Sequence, residues 1–270
     1  MIMVTGASGQ LGSQILKQLS DRGVDAFGGS RTPAAGMRYL DLDLTESIDF
    51  SGVRTLVLVS AGYAEDDQVV DRHEAAVRAA VRDGVEHVVY TSVTTGGDHL
   101  GFALAHRATE RMIQTSGMGW TILRNGLYAE LFGALMSWRG EGLESPFGAG
   151  ALAAVARDDL AEAAAIVASA PERHGAKIYD LVGPLIDAVA VAEHLGVRHR
   201  SIDLAEYRRR LLGDTALLPF QPSLLASIAT AVRHGFLNGA SSDLRNLLGR
   251  PLTDAVVIAG RAAAVSVPTR

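Results

Sequence analysis

The chain has 270 residues, 48% of them hydrophobic and 20% charged, which is enough apolar material for one large α/β domain or a main domain with a smaller appendage. A formal charge of −5 leaves no basic footprint for a nucleic-acid partner. The absence of cysteine excludes disulfides, thiolate catalysis and cysteine–zinc sites.

In chain order, short β-branched runs alternate with helical periods, the pattern of a parallel sheet built from βαβ units. Residues 1–5 read as a buried strand. Leu11, Ile15, Leu16 and Leu19 recur at helical spacing until Arg22-Gly23 stops the helix. Strands are expected at 24–28 and 37–40, and a fully apolar one at 55–60, as when both faces of a sheet are covered. A helix over 67–83 leads to a strand at 87–92. A Gly96-Gly97 loop, a helix over 103–116 and a strand at 120–124 follow. Around 141–151 the pattern turns to Gly, Pro and Phe. Beyond it lie an Ala-rich helix over 158–169, capped by Asp158 or Asp159, a strand at 177–181, and mostly helices with a short strand at 199–204. The expected architecture is a Rossmann-type doubly wound parallel sheet over 1–144. A smaller mixed α/β lobe, intertwined with it, covers 145–270.

The start Met1-Ile2-Met3-Val4 runs directly into a glycine turn without a basic n-region, and no apolar run approaches the ~20 residues that span a bilayer. These features point to a cytoplasmic protein without a membrane partner. The run Arg208-Arg209-Arg210 reads as a solvated helix face.

The chemistry begins at Thr5-Gly6-Ala7-Ser8-Gly9-Gln10-Leu11-Gly12, a strand end, three spaced glycines and an immediate helix. Gly6 allows the tight turn, Gly9 lets the backbone approach a pyrophosphate, and Gly12 lets the helix sit close to the strand. The helix amino terminus then offers free N–H groups and a positive dipole end to phosphates. The second strand runs into Gly28-Gly29-Ser30-Arg31, with no carboxylate to hold a ribose 2′-hydroxyl. A guanidinium there suits a 2′-phosphate, so NADP(H) is the expected cofactor. Asp41 or Asp43 is placed to approach the adenine, or is an exposed loop carboxylate.

The segments Val4–Gly12, Val88-Val89-Tyr90-Thr91-Ser92 and Trp120-Thr121-Ile122-Leu123-Arg124-Asn125-Gly126-Leu127-Tyr128 resemble the NmrA-like branch of the atypical short-chain dehydrogenases. Tyr128-Ala129-Glu130, His106 with Thr109-Glu110, Arg157-Asp158-Asp159-Leu160-Ala161 and Leu247-Leu248-Gly249-Arg250-Pro251 are similar to the bacterial NADPH-dependent quinone oxidoreductases of the second type within it. The resemblance covers nearly the whole chain and is least distinctive over 185–236. It implies a cofactor along the carboxyl edge of the sheet. The nicotinamide would lie near Ser60, Ala61, Ser92, Asn125, Gly126 and Tyr128, with substrate under the second lobe. A homodimer is the assembly that members often form, although no stripe in the sequence marks an interface.

Catalytic members of that wider family use a tyrosine and a lysine four residues later. Registered on Glu110, the pair falls at Phe102 and His106. Phe102 has no proton to give, while His106, at ~6.5 in water, can bond the ribose or assist proton transfer. Conventional ketone reduction is therefore disfavoured, and hydride transfer to a quinone-like acceptor is expected. The alternative is a non-catalytic NADP(H)-binding redox sensor that regulates a protein partner. Candidate catalytic residues are His106, Ser92 and Tyr128. Ser92 would bond a substrate oxygen, or simply satisfy backbone at a strand end. Tyr63, Phe102, Tyr128, Phe132, Trp138 and Phe147 are candidates to line a flat apolar pocket, or are core aromatics. His73 reads as a packed core histidine. His194 and His199 lie among arginines, a setting that disfavours a metal, and no metal site is expected.

Overall fold

A computed structural model describes residues 1–32, 34–62 and 64–265. The main sheet uses β1 (Ile2–Val4), β2 (Ala26–Ser30), β3 (Met37–Tyr39), β4 (Thr55–Val59), β5 (His87–Val93) and β6 (Gly119–Asn125), joined by α1 (Gln10–Asp21), α2 (Asp66–Arg82) and α3 (Ala103–Thr115). The second half contains α4 (Ala129–Ala134), β7 (Ser137–Arg139), β8 (Gly142–Ser145), β9 (Ala151–Ala153), α5 (Arg157–Ser169), β10 (Lys177–Leu181), β11 (Leu185–Asp187) and α6 (Ala188–His194). It ends with β12 (Arg198–Ser201), α7 (Leu204–Gly213), α8 (Gln221–Arg233), α9 (Asp243–Leu248) and α10 (Ala255–Val265).

The seven-stranded sheet runs in the order β10-β6-β5-β4-β1-β2-β3, every pair parallel. This is the Rossmann-like architecture expected from the alternation of strands and helices. Strand alternation sorts the two faces. Val4, Val57, Val89 and Leu123 face α1 and α5, whereas Met3, Leu56, Leu58, Val88 and Tyr90 face α2 and the buried Ile113 of α3. Both faces are covered, which is why these strands read as continuous apolar runs rather than alternating ones.

The chain crosses residue 145 in both senses. Helix α5 packs on α1, and β10 pairs with β6 as the seventh strand, so both belong to the layers begun by the first half. The smaller lobe is what remains. A sheet of β12-β8-β7 and the β11-β9 pair enclose a separate core with α4, α6, α7, α8 and α10. Of these short strands only β12 was expected, at 199–204; β7, β8, β9 and β11 were not, because three- and four-residue strands carry too little pattern.

Two local expectations are corrected. Strand β2 runs two residues later than expected, to Ser30, so Arg31 follows it directly. Neither Asp158 nor Asp159 caps α5. The cap position is Ala156 without a side-chain bond, and Asp159 instead accepts from Arg250 Nη2 (2.8 Å), Thr253 N (2.8 Å) and Thr253 Oγ1 (2.8 Å). Glu130 serves the helix start from across the fold, its carboxylate oxygens 3.2 and 3.3 Å from the Arg157 N–H.

Helices α4 and α10 approach so closely that a Cβ on Gly133 would lie 2.0 Å from the Ala259 carbonyl oxygen. Gly133→Ala should therefore lower stability by about 1–3 kcal/mol, the usual range for overpacking. Gly213→Ala, where a Cβ meets nothing within 4 Å, is the control. Urea unfolding of the two variants checks this, and equal midpoints would refute the tight crossing.

Candidate functional site

The glycine turn sits at the carboxyl end of β1. Gly6 has φ +59°, and its carbonyl accepts from Gly9 N at 2.9 Å, closing the turn. A Cβ on Gly12 would lie 2.3 Å from the Gly6 oxygen, and one on Gly9 would lie 3.1 Å from it. Ala7 is anchored through its N–H to Gly29 O at 3.1 Å. Gly6, Ser8, Gly9 and Gln10 are exposed while Ala7, Leu11 and Gly12 are buried, so the open side of the turn is backbone. Helix α1 starts at Gln10 with no side-chain cap and no acidic residue in its first turn, leaving its amino-terminal N–H groups for an anion.

Beside the turn, Arg31 is 70% exposed and lies 3.6 Å from Asp43. Asp43 also receives Arg72 Nε, and its own N–H donates to Asp41 Oδ1 at 3.0 Å. Arg72 donates on to Ala61 O (3.2 Å), while Ala61 N donates to His73 Nε2 (2.9 Å). The loop after β4 is thus held from both sides by α2. Two oxygens at this edge, Ser60 Oγ and Asn125 Oδ1, are buried and have no protein partner. Buried polar atoms normally find one, so these orphans at the ends of β4 and β6, with the bare backbone of the glycine turn, fit a polar dinucleotide lying along the carboxyl edge. Gly126, next to Asn125, donates its N–H to Leu181 O at 2.8 Å.

On the α2/α3 face four side chains form a series, three of them buried and His106 half-buried. His73 is fully buried. Because its Nε2 accepts from Ala61, its proton sits on Nδ1, 2.8 Å from Thr109 Oγ1. Thr109 in turn donates to Ala105 O at 2.8 Å. Tyr90, also fully buried, has its hydroxyl 2.8 Å from His106 Nδ1. Burial, with the nearby charge of Arg107, depresses His106 to about 4, and burial with the His106 and Arg72 charges depresses His73 to about 3. Both imidazoles are therefore neutral near pH 7. Phe102 is half-buried, with its ring edge-on to His106 at 6.2 Å.

Helix α3 is seated by a buried ion cluster. Glu110 accepts from Ser92 Oγ (2.6 Å), Arg107 Nη1 (2.6 Å) and both Nε (3.0 Å) and Nη2 (2.7 Å) of Arg124. Arg107 also bonds the carbonyls of Val93 (3.0 Å) and Thr94 (3.2 Å) and the carboxylate of Asp98. Ser92 is 4% exposed, and its hydroxyl is spent on this cluster rather than turned to the open edge.

Tyr128 stands at the start of α4 with Arg157 over its ring at 4.7 Å, and burial raises its phenol above the ordinary ~10, keeping it protonated. The other aromatics are divided. Phe132 is 1% exposed and stacks on Phe147 with centroids 4.5 Å apart inside the second-lobe core. Trp138 donates Nε1–H to Ala263 O at 2.8 Å. These contacts give both a packing role, whereas Phe102 stays beside His106. Tyr63 lies outside the described residues. Among the described residues no cluster of three or more His, Cys, Asp or Glu could hold a metal, and no helix is long and apolar enough to cross a membrane.

Tyr90, Arg72, Glu110 and the Asp43 pairing escaped sequence reasoning as site elements. The one available signal was a phenol inside an otherwise apolar strand, which needs a partner.

The bare turn and the orphaned oxygens give this edge the form of a dinucleotide site. Residues 6–171 match the NAD(P)H-binding family model, so the chain belongs to the NAD(P)H-binding family. Quinone oxidoreductase 2 of Escherichia coli (strain K12) is 29% identical over 276 residues, spanning 94% of this chain and 95% of that protein. Among solved structures, triphenylmethane reductase of Citrobacter sp. complexed with NADP(H) superposes with a TM-score of 0.85 at 28% identity, covering 97% of this chain and 99% of that one. The NADPH-dependent quinone oxidoreductase of Escherichia coli complexed with NADPH gives 0.83 at 28% identity, with the same coverage.

These two neutral histidines make stability pH-dependent. Unfolded, each titrates at ~6.5, but folded they titrate at about 3 and about 4, so the unfolded chain binds more protons between these values. Their contribution is whole above about pH 7 and is lost as pH falls through ~6.5, on the order of 2 kcal/mol for each by about pH 5. His73→Gln should flatten the fall in unfolding free energy between about pH 7 and about pH 5. An equally steep fall in the variant would contradict the neutral burial of His73.

Proposed function

We propose that this protein is an NADPH-dependent oxidoreductase that passes a hydride to a quinone-like acceptor without a Tyr/Lys pair. The observation that carries the reading is the pairing at the head of α3. The register on Glu110 places Phe102 and His106 at the pair's positions, and the structure keeps His106 neutral with Nε2 free of protein partners among the described residues. The named activities of the similar proteins, an NADPH-dependent quinone oxidoreductase and a triphenylmethane reductase, support the same class.

The residues present fit the cofactor. The turn Gly6, Ala7, Ser8, Gly9, Gln10, Leu11 and Gly12, with the α1 amino terminus, would hold the pyrophosphate. Arg31 would take the 2′-phosphate, with Asp41 beside the adenine. The orphaned Ser60 and Asn125, together with Ala61, Gly126 and His106, would face the nicotinamide half. NADPH supplies a hydride when bound. Reduction of a ketone leaves a strongly basic alkoxide, for which a general acid matters greatly. A quinone instead leaves a phenolate-like anion whose conjugate acid is near ~10. That product needs orientation and a hydrogen-bond donor more than a strong acid. His106, a neutral imidazole, can be that donor, and Tyr128, held protonated, would be a second hydrogen-bond donor to the acceptor. Phe102 offers an aromatic edge to a flat ring in place of an acid.

Purified protein, NADPH and a panel of benzo- and naphthoquinones should show oxidation of the nicotinamide at a rate proportional to enzyme, with NADH clearly slower. Binding of NADPH, seen by nicotinamide fluorescence, without turnover on any quinone would overturn the reading. Arg31→Ala should weaken NADPH by about 10-fold or more and NADH little, from loss of a charge-assisted contact. Equal losses would remove the 2′-phosphate assignment. His106→Ala should lower kcat by about 10- to 100-fold with NADPH affinity retained; lost binding would make His106 a ribose anchor instead.

A further inference from the structure

The buried phenol of Tyr90 has no place in the cofactor or acceptor contacts proposed so far, yet it is the only protein group that bonds the His106 imidazole among the described residues. The hydroxyls of Thr109 and Ser60 also lie beside its oxygen, outside normal hydrogen-bond geometry, and act on the phenol as donors rather than acceptors. Thr109, on the same face, gives its hydroxyl proton to Ala105 O and receives the Nδ1–H of His73, so its bonding is complete with respect to protons. The Tyr90 ring lies between the two imidazoles, with centroids 5.7 Å from His73 and 5.9 Å from His106. In the contact with His106 Nδ1 a phenol is the stronger donor and an imidazole nitrogen the stronger acceptor. The proton therefore stays on Tyr90 and points at Nδ1. A neutral imidazole has one N–H, so it must then sit on Nε2.

We propose that Tyr90 is a positioning residue that fixes His106 as the Nε2–H tautomer, so that the histidine presents a hydrogen-bond donor, not an acceptor, to the acceptor oxygen. The proposal rests on the quinone-reductase reading. His73 makes a built-in contrast, since its Nε2 accepts from Ala61 and forces the opposite tautomer one helix away. The role is orientation rather than proton relay. Passing a proton from Tyr90 through His106 would leave a phenolate in a wholly buried site, and burial raises the Tyr90 phenol well above its usual range. His106 lends a hydrogen bond and keeps its Nε2 proton, since losing it with Nδ1 held by Tyr90 would leave an imidazolate; the proton that completes reduction of the acceptor comes directly from water, and Tyr90 keeps its own.

The test is long-range 1H–15N correlation on the full-length protein labelled with 15N-histidine, with His106 assigned by the signals lost in His106→Gln. The wild-type spectrum should show His106 protonated on Nε2. Tyr90→Phe, which removes one oxygen and keeps the ring, should convert that pattern to a tautomer mixture. It should also lower kcat about 5- to 10-fold with the KM for NADPH unchanged, the kcat-specific loss expected when an interaction made only in the transition state is weakened. An Nδ1-protonated His106 in the wild type, or an unchanged His106 pattern in a folded Tyr90→Phe variant, would overturn the proposal. Should Tyr90→Phe fail to fold, the wild-type tautomer alone decides. Absence of quinone turnover in the wild type would defeat the reductase reading instead, and the tautomer is read independently of it.

Discussion

A Cβ on Gly12 would stand 2.3 Å from the Gly6 carbonyl oxygen, so α1 can begin where it does only because no side chain intervenes. That close seat aims the free N–H groups of the helix at the carboxyl end of the sheet and leaves the turn's exposed side as backbone. The parallel order of all seven strands then brings every strand end of the sheet to the same edge. Arg31, Ser60 and Asn125 come to that edge for this reason, although they are far apart in the chain. Ligand sites at the carboxyl ends of strands in open α/β sheets follow from the same geometry.

A second constraint works from below the edge. Glu110 is 3% exposed and would be a costly buried charge alone, but two guanidiniums and a serine hydroxyl satisfy it. The cluster ties β5, β6 and α3 together and extends through Arg107 to the backbone of the 93–98 segment. Helix α3 carries His106 and Thr109 and starts just after Phe102, so the cluster sets the position of the histidine without touching it. Desolvation on this same face keeps both His73 and His106 uncharged, which turns a potential cation into a neutral donor.

The glycine turn was legible because its requirements are local. A tight turn, a close approach and a helix start each demand a residue type at a fixed offset, and Gly6, Gly9 and Gly12 meet them. The apolar strands and the helices between them were legible because periodicity survives in long segments. The second lobe was less so. Strands β7, β8, β9 and β11 are three or four residues long, and they pair with partners as distant as β12. Ser92 and Asp159 show the limit for side chains. Both look free in sequence, and both are committed in the fold, to Glu110 and to the Arg250–Thr253 segment.

By itself, the sequence determined the βαβ class, the glycine turn, the arginine after the second strand and the lack of a tyrosine and lysine at Phe102 and His106, because each depends on residue type at short range. Only the tertiary structure decided which groups are charged and which way their protons point. The depressed His106, the Tyr90 phenol against its Nδ1, and the orphaned oxygens of Ser60 and Asn125 all arise where segments distant in the chain exclude water from one another. Desolvation and hydrogen-bond partnership belong to the packed arrangement, and no short stretch of sequence contains them.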